Sequence, residues 1–220
     1  MKPPSFDQVI RQKEISEDTF ETIQFPLWTW PGSKVIPGGT LMSIAAAAAY
    51  KTVSSDFFID MLQAHFLSGP KYDMPLRQKV QRLSDTGRFA TRVVSMEQAG
   101  AIVVHVTCMF IRKAKMDGPS MRHCVGRAST QTIESITLDD LESGRDERGP
   151  YMQFQRLPLM YTDTGTAPFK PPPQSYTYTS VAKISTTLPP DDAKIQGLGI
   201  IALSDYHVMD CVPTVNGVSF

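Results

Sequence analysis

Val35-Ile36-Pro37-Gly38-Gly39-Thr40-Leu41-Met42-Ser43-Ile44, then five alanines from Ala45 to Ala49, then Tyr50-Lys51-Thr52-Val53, is the stretch from which the architecture is read. Gly38 and Gly39 predict a tight turn that leaves room for another backbone to approach closely. The next dozen residues are small, apolar and good helix formers, and no polar face survives past Ser43. A helix that is apolar on every side is a buried helix, and this one is far too short to span a bilayer. Strand-like runs follow at Phe57–Leu67, Leu76–Leu83, Phe89–Gln98 and Ala101–Ile111. Upstream, Thr19–Phe25 alternates, with Phe20, Thr22 and Gln24 on one side and Glu21, Ile23 and Phe25 on the other. A buried alanine helix followed by an antiparallel meander predicts an α+β chain in which a sheet wraps one helix.

Five pieces in order extend this reading. They are Gly38-Gly39, Thr52-Val53, His65-Phe66-Leu67, Ser84-Asp85-Thr86-Gly87-Arg88 and Phe89-Ala90-Thr91-Arg92. A Gly-Gly pair alone is common, so the order and spacing of the set carry the weight. Together they resemble the first half of the acyl-CoA thioesterase II family, the double-hotdog TesB-like thioesterases. The resemblance resumes near Ser180, and the long middle segment with Leu203-Ser204-Asp205-Tyr206 is similar to fungal members. It implies a hotdog fold, with a first hotdog domain over residues 1–113, a linker over 114–174, and the start of a second hotdog over 175–220. The complete first hotdog is expected within about residues 15–113.

Composition bounds the function. Twenty-two Lys and Arg balance 22 Asp and Glu, so nothing points to nucleic acid or to an anionic membrane surface. Cys108, Cys124 and Cys211 are odd in number and unpatterned, which suits a reducing compartment. Met1–Asp7 lacks the apolar run of a signal peptide, and Val218-Ser219-Phe220 is not a peroxisomal signal, so a cytoplasmic location is expected, with the peroxisome as the family's alternative. Residues 1–18 are mostly polar and read as a short lead-in helix or loop.

The middle of the chain changes character. Lys113–Gly126 is basic, Asp139–Gly149 is a charge run with two glycines, and Pro171-Pro172-Pro173 is a stiff stop. This predicts a linker with one short strand near Met152–Leu157, least ordered around Asp139–Gly149. Beyond it, Tyr176–Ser185 reads as a strand and Leu188-Pro189-Pro190-Asp191-Asp192 as a helix start, since an Asp cap satisfies free backbone N–H groups. The helix is expected from about Ala193 to Cys211, with Ile195, Leu198, Ile201, Ala202, Tyr206 and Met209 burying most of its surface. Pro213 and Gly217 end it.

Asp205 is out of place in such a helix, because a buried carboxylate needs hydrogen bonds or a raised pKa. From the pattern alone it is either catalytic or bonded to Ser204 and nearby backbone. The resemblance implies the former: TesB-like enzymes carry an Ala-Ser-Asp-like motif on the second hotdog helix, and its aspartate activates the water that attacks the thioester. In that family a threonine and a glutamine on later strands share the water, and neither can be assigned in these 220 residues. The second hotdog is therefore expected to be incomplete. Gly38 and Gly39, at a helix N-terminus, are candidates for substrate binding.

Period-two alternation would place Phe57, Ile59, Met61, Gln63, His65 and Leu67 on one face. Gln63 and His65 are thus either a hydrogen-bonded pair closing the sheet or part of the acyl channel. Arg88 and Arg92, at a hairpin connection, either reach the phosphates of coenzyme A or are simply solvated. Trp28 and Trp30 are a lid over the helix or a wall of an acyl pocket. His105 and Cys108 lack partners at metal-ligand spacing and are expected in the core. His207 and Cys211 have the i, i+4 spacing of an imidazole–thiolate pair, but the resemblance gives them no role.

The function expected is acyl-CoA hydrolysis to a carboxylic acid and coenzyme A, on a fatty acyl-CoA or an acyl thioester of secondary metabolism. No metal or cofactor is expected. The resemblance implies a homo-oligomer. The alternative is a truncated, non-catalytic hotdog protein that binds acyl groups or partners.

Overall fold

Helix α2 (Gly38–Tyr50) is buried along nearly its whole length, from Gly39 to Ala49. At a rise of 1.5 Å per residue it is about 20 Å long. Its alanines offer a narrow cylinder, so a sheet can close around it at short range. A computed structural model describes residues 4–29, 33–113, 147–148, 151–156, 160–161, 176–177, 180–184 and 188–205 of the chain.

Six strands form the sheet that holds α2. They are β1 (Gln12–Ser16), β2 (Thr19–Thr22), β3 (Phe57–Phe66), β4 (Arg77–Asp85), β5 (Phe89–Gln98) and β6 (Ala101–Arg112). Their order is β1-β2-β4-β5-β6-β3, and every neighbouring pair is antiparallel. On the face toward α2 lie Ala90, Arg92, Val94 and Met96 of β5 and Val104, Val106, Cys108 and Phe110 of β6, all buried. This is the hotdog arrangement read from the sequence, and four strand-like runs fall within two or three residues of their observed bounds. The β5–β6 link is two residues, Ala99 and Gly100, both with positive φ, the geometry whose twist matches a hairpin.

Two departures matter. The lead-in, expected as helix or loop, forms a one-turn helix α1 (Phe6–Val9) and then the edge strand β1. Phe6 and Val9 are buried, while β1 exposes all but Gln12, so its polar sequence carries no alternation to read. In β3, the register slips between Ile59 and Met61. A bulge of one residue turns every later side chain to the opposite face. Phe57 and Ile59 pack on the core, and after the bulge Leu62 and Ala64 take over, leaving Met61, Gln63 and His65 exposed on the outer face. The single face expected for Phe57–Leu67 is corrected accordingly.

Beyond residue 146, β7 (Glu147–Arg148), β8 (Met152–Arg156) and β11 (Ser180–Ile184) form a second antiparallel sheet in the order β11-β8-β7. Strands β9 (Met160–Tyr161) and β10 (Tyr176–Thr177) pair with each other. The short strand expected near Met152–Leu157 is present, and its partner is the first strand of the C-terminal segment. Tyr151 and Met152 are buried against the first unit: the Tyr151 hydroxyl lies 2.7 Å from Thr40 Oγ1, and its ring 6.0 Å from that of Phe6. Burial pushes the Tyr151 phenol up to about 12. The expectation for Asp139–Gly149 falls almost entirely outside the described residues.

Helix α3 (Ala193–Ser204) starts as expected, with Asp192 Oδ1 accepting from the N–H groups of Lys194 and Ile195 at 3.0 and 3.1 Å. It is shorter than expected, ending at Ser204 with Asp205 as its C-cap. Leu198, Gly199 and Ala202 are buried, but Ile200 is 69% exposed, so the helix hides one side only among the described residues. No described helix is long and apolar enough to cross a membrane.

Candidate active site

Helices α2 and α3 run antiparallel in contact, so the last turn of α3 meets the first turn of α2. Small residues permit this. Beside Gly39 a Cβ would stand 2.2 Å from the carbonyl oxygen of Ala202, closer than atoms can approach. One turn further along, Ser43 Oγ donates to the carbonyl of Leu198 at 2.9 Å, deep in the interface. The two points are four residues apart on each helix, which fixes both register and separation.

This packing brings the Asp205 carboxylate to the N-terminus of α2. Gly39 N–H donates to Asp205 Oδ2 at 3.2 Å. The first turn of a helix leaves N–H groups without partners and carries a partial positive charge, so an anion is stabilised there. Thr40 and Leu41 N–H groups turn back to the Pro37 carbonyl at 3.1 and 3.3 Å. Among the described residues the Gly38 N–H has no hydrogen-bond partner. Asp205 is exposed rather than buried, so the desolvation expected for it from the apolar spacing around it does not arise. Its carboxylate has access to water and, among the described residues, one fixed donor.

Phe66 forms the third side. A Cβ on Gly38 would meet Phe66 Cζ at 2.9 Å and Asp205 Oδ2 at 3.0 Å, so the aromatic ring and the carboxylate flank the Gly38 backbone. The ring is 52% exposed. The sequence reading singled out Gln63 and His65 on this strand; the Asp60 bulge sends both outward and brings Phe66 to the helix terminus instead. His65 lies opposite His105 on the outer face, and His105 Nδ1 is 3.3 Å from Ser95 Oγ. The alternation Leu62-Gln63-Ala64-His65-Phe66, read by itself, groups Phe66 with Leu62 and Ala64; parity carried forward from Phe57 across the bulge hides it.

Arg92 is elsewhere, at the other end of α2, and 1% exposed. Nε donates to Thr52 Oγ1 at 2.8 Å, Nη1 to the carbonyls of Ser84 and Thr91, and Nη2 to the Thr52 carbonyl and to Asp85 Oδ1 at 2.7 Å. All five guanidinium N–H donors are thereby used within the chain. Arg88 is exposed, with its guanidinium 5.3 Å from the Phe89 ring centre. Lys51 caps the same end of α2, donating to the Gln12 carbonyl at 3.0 Å and lying over the Phe20 ring. The buried helix thus has an anion at its N-terminus and cations at its C-terminus, each at the end the macrodipole favours.

Cys108 sits in the core, and burial pushes its thiol up to about 12, where it is inert as a nucleophile. Trp28 is partly buried against the core, while Trp30, His207 and Cys211 lie outside the described residues. No group of three or more metal-ligating side chains occurs among the described residues.

Comparison with known proteins bears on the fold that carries this site. Residues 26–111 match the family described as acyl-CoA thioesterase N-terminal domain. The fold is similar to that of the acyl-CoA thioesterase II TesB2 of Mycobacterium marinum, with a TM-score of 0.67 and 16% identity, covering 94% of this chain and 69% of that one. It is similar too to the tesB protein of Mycobacterium avium subs paratuberculosis, with a TM-score of 0.67 and 15% identity over 97% of this chain and 74% of that one. A conserved hot dog fold protein of unknown function from Alicyclobacillus acidocaldarius scores 0.67 at 14% identity, over 97% of this chain and 73% of that one. No curated protein matches the sequence. The resemblance carried by Gly38–Arg92 and the fold class inferred from it are both borne out.

Proposed function

We propose that this chain hydrolyses acyl-CoA thioesters to a free carboxylic acid and coenzyme A, with Asp205 as general base. The observation that carries the reading is the exposed Asp205 carboxylate held 3.2 Å from Gly39 N–H, beside a Gly38 N–H with no partner among the described residues, at the N-terminus of a buried helix. The thioester carbonyl oxygen lies against Gly38 N–H, where the helix terminus stabilises the charge it gains. A water on Asp205 attacks the carbonyl carbon and passes a proton to the free carboxylate oxygen. The tetrahedral intermediate collapses, the C–S bond breaks, and Asp205 returns the proton to the leaving sulfur. The acid and the thiol leave, and the carboxylate is restored.

Phe66 fits this scheme as an apolar wall beside the reacting carbon, next to Gly38 and open to solvent. Arg92 takes no part in it, since its donors are all engaged at the far end of α2. The acyl group, fatty or a product of secondary metabolism, is set by walls that include Phe66.

The test is Asp205→Asn, assayed for release of coenzyme A from short, medium and long acyl-CoA. Asn keeps the volume and still accepts from Gly39 N–H, but it cannot take the proton. Loss of a general base costs about 10²–10⁴-fold in turnover. Losing the charge at the helix terminus costs about 0.3–1 kcal/mol, so the fold persists. Parent-level turnover in Asp205→Asn, or none by the parent on any acyl-CoA, overturns the reading.

A further inference from the structure

We infer that Gly39 is the positioning residue for Asp205, an inference that rests on the thioesterase reading for its catalytic consequence. Gly39 belongs to the first unit and bonds the proposed base through its backbone N–H, while having no part in the proton transfer itself. Three observations point to it.

First, Asp205 is the C-cap of α3, where the carbonyl end of the helix dipole repels a carboxylate. A carboxylate there needs an opposing positive field, and α2 supplies one only because its N-terminus abuts this turn. Second, Gly39 N–H is the donor that fixes the carboxylate oxygen, at 3.2 Å. Third, the absence of a side chain at Gly39 sets how close α3 comes. A Cβ would lie 2.2 Å from Ala202 O, 2.9 Å from Ala202 C and 3.1 Å from Asp205 Cβ. The first two are backbone atoms, which cannot swing aside. Restoring ordinary contact moves the last turn of α3 by more than about 1 Å, a displacement that at a reacting centre costs about 10²-fold.

Ser43 provides the control. Its hydroxyl bonds the Leu198 carbonyl in the same interface, one turn away from Asp205. Ser43→Ala loosens the helix pair without driving α3 outward.

Two measurements on the full chain test the inference. The first follows the backbone amide resonance at Gly39 by NMR through the acid range. It is expected to titrate with a carboxylate in the parent and to stay flat in Asp205→Asn. The second compares kcat and KM for acyl-CoA. Gly39→Ala is expected to lose about 10²-fold in kcat with KM little changed, whereas Ser43→Ala keeps kcat and lowers Tm by a few degrees. An amide at Gly39 that ignores pH overturns the inference, as does Gly39→Ala with parent kcat and only a lowered Tm. Should Gly39→Ala fail to fold, the amide titration decides alone. A titrating amide in a chain that hydrolyses no acyl-CoA upholds the positioning and overturns the thioesterase reading.

Discussion

Replacing Arg92 by Met separates a structural arginine from a phosphate ligand. The side chain is 1% exposed and makes five hydrogen bonds, two of them, to Thr52 Oγ1 and the Thr52 carbonyl, fully buried. Met fills similar space but leaves those two acceptors bare. Each unsatisfied buried acceptor costs roughly 1–3 kcal/mol. The Ser84 and Thr91 carbonyls and Asp85 are part-buried and regain water, so they add little. The sum is about 2–6 kcal/mol, which at roughly 2–4 °C per kcal/mol lowers Tm by about 4–24 °C for a chain of this size. Arg92→Lys should recover only part of this, because one ammonium cannot span the fork of acceptors. The assay is thermal unfolding by circular dichroism, with KM for acyl-CoA measured below the transition. A phosphate ligand behaves oppositely: Tm within a degree or two of the parent and KM sharply raised. That outcome in Arg92→Met would refute the assignment of the arginine to the C-terminal end of α2.

Two further outcomes are expected. Asp192→Ala removes the acceptor for Lys194 and Ile195 N–H groups and should cost about 1 kcal/mol in urea unfolding, while Asp192→Asn stays near the parent; equal losses in both would show that the cap is not the cause. The Asp18 carboxyl is held below its ordinary value, chiefly by hydrogen bonds from Arg82 Nε and Nη2 at 2.7 and 2.8 Å. A carboxyl whose folded pKa is lowered stabilises above its unfolded pKa, and that stabilisation fades as pH falls through the folded one. Both side chains are partly exposed, so Arg82→Met should lose less than about 1 kcal/mol at neutral pH and nothing in acid at about pH 2; a gap equal at both pH values counts against the pairing.

What could be read from the residues, and what could not, follows from which interactions are local. The alanine run of α2 has no polar side to contradict burial, and β6 is apolar on both faces as a central strand is, so the helix and the core of its sheet were legible. Strand β1 was not, because an edge strand with four exposed residues leaves no hydrophobic period, and its place is fixed by pairing with β2. Apolar spacing through Tyr206 and Met209 prolonged the helix expected there, yet α3 stops at Ser204. Asp205 was singled out from the sequence, but its setting on the α2 terminus comes from packing between helices some 160 residues apart in sequence.

The same logic explains why Gln63 and His65 were chosen and Phe66 was missed. Side-chain direction in a strand has period two, so any reading of a face extrapolates parity from one end. Parity survives only while the register does. In β3 the pairs run Ile59 with Phe110 and then Met61 with Met109, so Asp60 has no place in the ladder and every later residue changes sides. The change of parity is written on either side of Asp60, with Phe57 and Ile59 apolar before it and Leu62, Ala64 and Phe66 apolar after it, but a face extrapolated from Phe57 alone runs straight across the slip. Without the bulge, Phe66 would stand on the outer sheet and His65 beside Gly38. With it, a partly exposed aromatic ring adjoins the Asp205 carboxylate, and the two polar residues face away from α2. One residue of slip therefore changes the chemistry of the wall next to the proposed reacting carbon, from an imidazole that could trade protons to a hydrocarbon ring that cannot.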